Sequence, residues 1–219
     1  MRIILFIILC LSLKISAQKS DFGNWLIYIG SKSINSKLNL HHEIQYRNYN
    51  AIGDLEQLLL RTGLGYNLSE GNNNVLLGYG FIGSENYDGL GEKSRVNEHR
   101  IYQQFVTKQS FGRFLWGHRY RFEQRFIEEK YKMRLRYFVN LRIPLNKKLL
   151  EHGAVYLSGY NEVFMDVKKE SAFDRNRLYA GLGYQINDAI KIETGYMNQF
   201  MSIINRDQFN IFFFANFKS

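Results

Sequence analysis

The sequence is poor in the residues that build linkers, disulfide scaffolds and metal clusters: its 219 positions hold one proline and one cysteine. A single proline excludes a Pro-rich linker or a collagen-like chain, and a single cysteine excludes a disulfide framework or a cysteine-based metal cluster. Aromatic residues, by contrast, make up 16% of the chain, which is too rich for a disordered protein. The length fits one domain or one compact barrel.

The first residues have the three parts of a secretory signal peptide. Arg2 supplies the positive start, residues 3–11 form the apolar run, and Ser16-Ala17 provide small residues before a cleavage point. A membrane-anchor helix would need about 20 apolar residues, which this run does not reach. We therefore predict a signal peptide over residues 1–17 and one exported domain over residues 18–219, with no cysteine and a net charge of +7.

Two consecutive segments sort charged from apolar residues with a period of two. Across residues 113–126 and 131–143, one side collects 14 residues without Asp, Glu, Lys or Arg, and the other collects 13 residues of which nine are charged. A helix, with 3.6 residues per turn, would scatter these charges, so both segments are strands. Soluble strands average about 5–6 residues, whereas a tilted membrane-spanning strand needs about 9–11. The length therefore favours strands that cross a membrane.

Weaker alternation recurs along the rest of the chain and predicts further strands. Between them lie short turn-rich pieces at 69–73, 109–112 and 187–189 and longer polar connections at 83–96, 166–172 and 201–207. The further predicted strands are 25–31, 38–46, 58–68, 75–81, 98–108, 155–164, 175–186, 190–200 and 209–217.

Alternation alone does not say which face points outward, since a soluble β-sandwich alternates too. Long aromatic rows opposite charged rows favour apolar faces toward lipid and charged faces toward a lumen, and lipid requires a closed sheet. We predict an all-β fold, a closed antiparallel up-and-down transmembrane β-barrel of about 10–12 strands in the bacterial outer membrane. Such barrels normally have an even strand number. Segment 25–31 is then either a partial strand next to a barrel of ten strands or a full strand in a barrel of twelve.

The connections also predict an orientation. The short turns fall on the periplasmic side and the three longer connections on the outer side. The last strand carries an apolar row that finishes two residues from the end of the chain, and its final aromatic resembles the signal read by the bacterial barrel-insertion machinery. We expect outer-membrane lipid and that assembly machinery as partners. The row consists of Phe209, Ile211, Phe213, Ala215 and Phe217.

Several short runs of residues also carry a resemblance to known proteins: Trp25, Gln45–Arg47, His118–Phe126, Asn161–Phe164, Asn176–Tyr184 and Gly195–Gln199. Together they resemble a family of exported bacterial proteins, common in Bacteroidetes and called domain of unknown function 2490. The resemblance covers nearly all of residues 18–219 and implies an outer-membrane location. It supplies no activity, substrate or catalytic residue.

The predicted lumen face is rich in arginine and forms the candidate site, a charge network. A basic lumen attracts anions; alternatively, the long arginine side chains pair with carboxylates and fill a narrow barrel, since open channels appear at about 16–18 strands. The candidate residues are Arg119, Arg121, Glu123, Arg125, Arg134, Arg136, Arg142, Glu98 and Glu162.

Other chemistry has weaker support in the sequence. The five histidines show no metal-ligand spacing, and His118 has no spacing to Ser110 or Ser158 that indicates a catalytic triad. We predict no metal, cofactor or catalytic residue, and no nucleic-acid partner.

The predicted function is a narrow, largely plugged barrel with a structural or limited solute-passage role. The alternatives are an outer-leaflet lipid-modifying enzyme, of phospholipase or lipid A deacylase type, and a soluble periplasmic β-protein; the oligomeric state stays open.

Overall fold

The computed structural model describes residues 22–69, 71–167, 172–201 and 205–218, and every long regular element in them is a β-strand. The predicted signal peptide lies outside these residues. None of the described residues forms a helix long and apolar enough to cross a membrane. The strands are β1 (Phe22–Ser33), β2 (Leu38–Asn48), β3 (Leu55–Asn67), β4 (Asn73–Tyr87), β5 (Lys93–Phe111), β6 (Phe114–Ile127), β7 (Lys130–Pro144), β8 (Val155–Asp166), β9 (Phe173–Gln185), β10 (Ile190–Met201) and β11 (Asn205–Phe217).

These eleven strands form one closed barrel. Each strand is antiparallel to the next in sequence, and β1 closes the ring by pairing in parallel with β11. The prediction of an all-β closed barrel within the range of 10–12 strands is confirmed. The expectation of an even number is wrong, because it assumes that every neighbouring pair is antiparallel. Segment 25–31 belongs to a full strand of 12 residues, in which Leu26 pairs with Tyr46 on one side and Ile211 on the other.

The parallel closure predicts a specific cross-link. Leu26 and Ile211 face outward and are direct partners, and neighbouring strands lie about 4.8 Å apart, within the reach of a disulfide. Leu26→Cys combined with Ile211→Cys should therefore form an intramolecular disulfide on mild oxidation, seen as a mobility shift reversed by reductant. Leu26→Cys with Thr194→Cys is the control, since Thr194 lies one strand further away. Cross-linking of the control pair alone would contradict the closure.

The pairing register fixes the tilt of the strands. Starting at Trp25 and stepping from each residue to its paired residue on the next strand, the path through β2, β3 and β4 reaches Val96 on β5. The path in the opposite direction, through β11 to β6, reaches Ser110 on the same strand. The two end points are 14 residues apart along β5. For eleven strands about 4.8 Å apart with a rise of about 3.3 Å per residue, this advance corresponds to a tilt of about 40°. Twelve residues at that tilt span about 30 Å.

The barrel has two distinct ends. We call the end at which β1 and β11 finish the C-terminal end, and the opposite end, at which β1 begins, the N-terminal end. The predicted short turns all lie at the C-terminal end. The strand ends that flank the predicted longer connections lie at the N-terminal end, while residues 168–171 and 202–204 of those connections lie outside the described residues. The connection predicted at 83–96 is much shorter, because β4 and β5 continue into it as paired strands. Only residues 88–92 remain, closed by the Asp88 carboxylate, which accepts hydrogen bonds from the backbone N–H of Leu90 and Glu92.

Side-chain burial follows the predicted alternation, with charge inside and apolar groups outside. Arg121 and Arg136 are 3% and 6% exposed, whereas their outward neighbours Tyr120 and Leu135 are 49% and 44% exposed. The polar side of β6 and β7 is therefore the lumen side. This arrangement is the inverse of a soluble barrel, in which apolar side chains fill the centre.

The outward face also carries one polar area, on β8 to β11. Most of its side chains are paired: Asn161 and Asn176 exchange hydrogen bonds of 2.9 and 3.1 Å, and Asn198 and Tyr196 both donate to the Asp207 carboxylate. Paired polar groups cost much less to remove from water than unpaired ones.

The lumen itself is divided into two halves. On the side of β1 and β9 to β11, it contains an apolar cluster built from Trp25, Ile27, Tyr179, Met197 and Phe212, next to buried polar side chains such as Gln208 and Asn210. On the side of β5 to β8, it contains buried arginine and glutamate side chains. The sequence pattern does not predict the apolar half, because these strands carry apolar residues on both faces.

Candidate functional site

The charge network is built by alternation within strands and register between them. Glu98 and Arg100 point inward from β5, and Arg121 and Glu123 do so two residues apart on β6. The pairing of β6 with β7 then sets Glu123 directly opposite Arg134. Opposite charges on directly facing positions stabilise a strand pair.

Glu123 is the centre of the network and is completely buried. Its carboxylate accepts hydrogen bonds from Arg134 at 2.7 Å and from Arg136 at 2.6 Å. Arg121 and Arg100 lie 3.6 and 3.9 Å from the same group. Glu123 is thus shared by four arginines, three of which also pair with another carboxylate: Arg134 with Asp174 at 3.2 Å, Arg136 with Glu162 and Arg100 with Glu98.

Arg136 links this centre to a second carboxylate, Glu162 on β8. Its guanidinium donates to Glu123 through one nitrogen and to Glu162, at 2.6 Å, through another. Glu162 also accepts from Arg119 at 2.7 Å and lies 3.8 Å from Arg177. Because one guanidinium carries five N–H donors in a rigid fork, it can hold two carboxylates at fixed positions.

Glu98 forms the third carboxylate position, nearest the N-terminal end. It receives two hydrogen bonds from Arg100, at 2.5 and 2.9 Å, and two from Arg125, at 2.6 and 3.0 Å. Such two-point contacts are the strongest form of arginine–carboxylate pairing. They fix the relative positions of β5 and β6.

Arginines outnumber the carboxylates in this half of the lumen, and aromatic faces accommodate the excess. The guanidinium carbons of Arg136 and Arg177 lie 4.4 and 4.7 Å from the ring centre of Phe164, and that of Arg121 lies 4.4 Å from the ring of Tyr102. Arginine favours such stacking because its planar guanidinium is weakly hydrated. The network is therefore a packed layer of arginine, glutamate and aromatic rings.

A smaller charged group lies on the opposite wall, on β2 and β3. The Glu43 carboxylate accepts from Arg61 at 2.6 Å, and Arg47 donates to Gln45. The Arg47 guanidinium stacks on Trp25 at 3.7 Å. This group joins the arginine half of the lumen to the apolar half.

The structure brings together eight of the nine residues that sequence reasoning proposes and separates one. Arg142 lies near the C-terminal end, 3.6 Å from Glu193 and outside the network around Glu123. Sequence reasoning misses Arg100 and Arg177, which complete the network. Both residues follow the same alternation of charged and apolar positions as on β6. The alternation is less regular on β5, which carries Arg100, and it is masked on β9, which carries Arg177, by many apolar residues.

The alternative catalytic residues do not converge. His118 points outward and contacts the Tyr137 hydroxyl at 2.9 Å, whereas Ser158 points into the lumen. Ser110 pairs with Leu115 of β6. Leu115 is three positions before His118 on that strand and lies on the opposite, inward face. Among the described residues, no group of three or more His, Cys, Asp or Glu side chains is arranged to hold a metal ion.

Comparison with known proteins identifies the family. The family described as "Protein of unknown function (DUF2490)" matches residues 22–210. An uncharacterized protein of Methylorubrum extorquens is 32% identical over 165 residues, covering 72% of this chain and 69% of the relative. No solved structure matches the chain. The matched range takes in strands β1 to β10 and the start of β11, and the chain therefore belongs to the DUF2490 family, as the resemblance of its sequence motifs implies.

Proposed function

We propose that this protein is an integral outer-membrane β-barrel whose lumen is closed by the arginine–glutamate layer and which has a structural rather than a channel role. The observation that carries the proposal is the inverted distribution of side chains: large apolar residues are exposed on the outer face of the strands, while arginine and glutamate side chains are buried within the barrel. In water this would leave an extensive apolar surface unprotected. In a bilayer the same surface is stabilising.

The dimensions of the barrel support a membrane location. A span of about 30 Å for twelve tilted residues equals the thickness of a bilayer's hydrocarbon core. Aromatic side chains occupy outward positions near both rims, with Phe126 and Tyr131 at the N-terminal end and Tyr66 and Tyr184 at the C-terminal end. Girdles of aromatic residues at these two levels are typical of the membrane–water interfaces of a transmembrane barrel.

The first test of the location is fractionation of cells that express the full chain. We expect the protein in the outer-membrane fraction, resistant to extraction by urea but solubilised by detergent. This result would also support export through the predicted signal peptide and insertion by the barrel-assembly machinery. Recovery in the soluble periplasmic fraction without detergent would contradict the proposal and favour the soluble β-protein.

The closed lumen predicts an electrical result. Full-length protein reconstituted in planar lipid bilayers should show no steady single-channel current, because the proposed arginine–glutamate layer closes the lumen. A known open porin reconstituted in the same way serves as the control. Regular conductance steps that scale with protein concentration would contradict a closed lumen and support solute passage.

A further inference from the structure

The C-terminal end of the lumen carries a second basic cluster, distinct from the network around Glu123. Lys108 on β5, Arg142 on β7 and Lys191 on β10 lie near the strand ends at this rim. The Arg142 guanidinium and the Lys191 ammonium lie 5.5 and 4.9 Å from the ring centre of Phe214, on which both side chains converge. Lys108 lies on the same inward face at this end of β5, opposite Gly117 of β6. We call this group the rim cluster.

The rim cluster is not neutralised by its surroundings. Glu193 is the carboxylate that lies against it, and its nearest approach to Arg142 is 3.6 Å, beyond hydrogen-bond distance. Within the described residues, neither lysine forms an ion pair, and the buried Nε of Arg142 has no hydrogen-bond partner. Three basic side chains thus face one carboxylate at this rim.

Solvent reaches this cluster, unlike the network around Glu123. Lys108 is exposed and the Arg142 side chain is 24% exposed, whereas Glu123 is completely buried. A site with excess charge, an unpaired buried donor and access from the rim has the properties needed to bind an anion. The central network lacks the last of these properties.

We propose that the rim cluster is a binding site for a phosphoryl group, supplied by inorganic phosphate or a phosphate monoester. A phosphate monoester carries about −1.5 to −2 charges near neutral pH, which suits a site where basic side chains outnumber carboxylates, and its oxygens accept several hydrogen bonds. Rings of arginine and lysine serve the same purpose in pores selective for anions and phosphate. The inference goes beyond the proposed function, because binding at a rim does not require a lumen that conducts.

The test is calorimetric titration of the full chain with inorganic phosphate at low ionic strength, in a non-ionic detergent that has no phosphate of its own. We expect saturable binding by the unsubstituted protein. Lys108→Gln and Lys191→Gln should each weaken it by about tenfold or more, since a hydrogen bond to a charged group contributes that much. Lys191→Arg, which keeps the charge, should bind more tightly than Lys191→Gln.

Lys132→Gln is the matched control, because Lys132 is also exposed and lies on β7 at the opposite end of the barrel. It should bind phosphate as the unsubstituted protein does. All variants should show the same heat-dependent gel mobility, which separates loss of the site from loss of the barrel. Absence of saturable binding, or equal weakening by Lys132→Gln, would overturn the proposal.

A competition experiment identifies the source of the phosphoryl group. Glycerol 3-phosphate should displace bound phosphate if the natural ligand is a soluble monoester. Micelles that contain phosphatidic acid, whose headgroup is a phosphate monoester, should displace it instead if the ligand is a lipid headgroup. Displacement by neither compound would exclude the monoesters and leave inorganic phosphate as the ligand.

Discussion

Replacing Glu123 with glutamine is expected to destabilise the folded barrel by about 3–5 kcal/mol, the cost of removing one partner from a buried ion pair. The glutamine keeps the size of the side chain but removes the charge that compensates Arg134 and Arg136 at 2.7 and 2.6 Å. Those arginines are buried, and the substitution leaves Arg134 with Asp174 and Arg136 with Glu162 as their remaining carboxylate partners. The free energy of unfolding, measured by urea titration in lipid vesicles, should fall accordingly.

A matched substitution at the rim separates this effect from a general response to loss of a carboxylate. Glu151 lies in the connection between β7 and β8, is 53% exposed and pairs with Lys147 at 3.5 Å. Glu151→Gln should change the free energy of unfolding by about 1 kcal/mol or less, as exposed ion pairs do. Equal stability of Glu123→Gln and the unsubstituted protein would mean that the network contributes little to holding the barrel together.

The second large effect is expected from a charge placed on the outer face. Leu60 points outward near the middle of β3, between Ile44 on β2 and Phe81 on β4. Leu60→Arg should make the free energy of folding into lipid vesicles less favourable by about 2–4 kcal/mol, which is the penalty for an arginine on the lipid face of a barrel at the bilayer midplane. It should also lower the amount of protein recovered in the outer-membrane fraction.

Leu90 provides the control for this substitution. It lies at the tip of the connection between β4 and β5, with 91% of its surface exposed. Leu90→Arg should leave folding and membrane recovery unchanged, since the tip lies in water at the N-terminal end. If Leu60→Arg were tolerated as well as Leu90→Arg, the outer face of β3 would not be in contact with lipid.

The sequence predicts the strands best where the two faces differ most in polarity. On β6 and β7 every charged residue lies on one side of the strand. The sequence therefore predicts correctly that these segments are strands, how long they are and which side faces the lumen. β1 is harder, because Trp25 and Ile27 point into the lumen and remove the contrast between its faces. The connection at 83–96 looks like a loop because it is rich in glycine and charge, yet β4 and β5 pair through most of it.

The partners within the network could not be predicted from the sequence. Alternation places Arg119 and Glu162 on the lumen face, but they lie on β6 and β8, with β7 between them. Their contact depends on the tilt of the strands and on the reach of an arginine side chain. The parallel closure is likewise a property of the whole ring and leaves no local pattern in the sequence.

The central claim, that lipid is the solvent of the outer face, is tested most directly by folding the urea-unfolded chain by dilution with and without lipid vesicles. We predict that a compact form appears only with vesicles. It should migrate faster than the boiled sample on a gel and show the circular dichroism of β-sheet. Without lipid the chain should aggregate. A compact, soluble β-sheet protein formed in the absence of vesicles and detergent would contradict the membrane location.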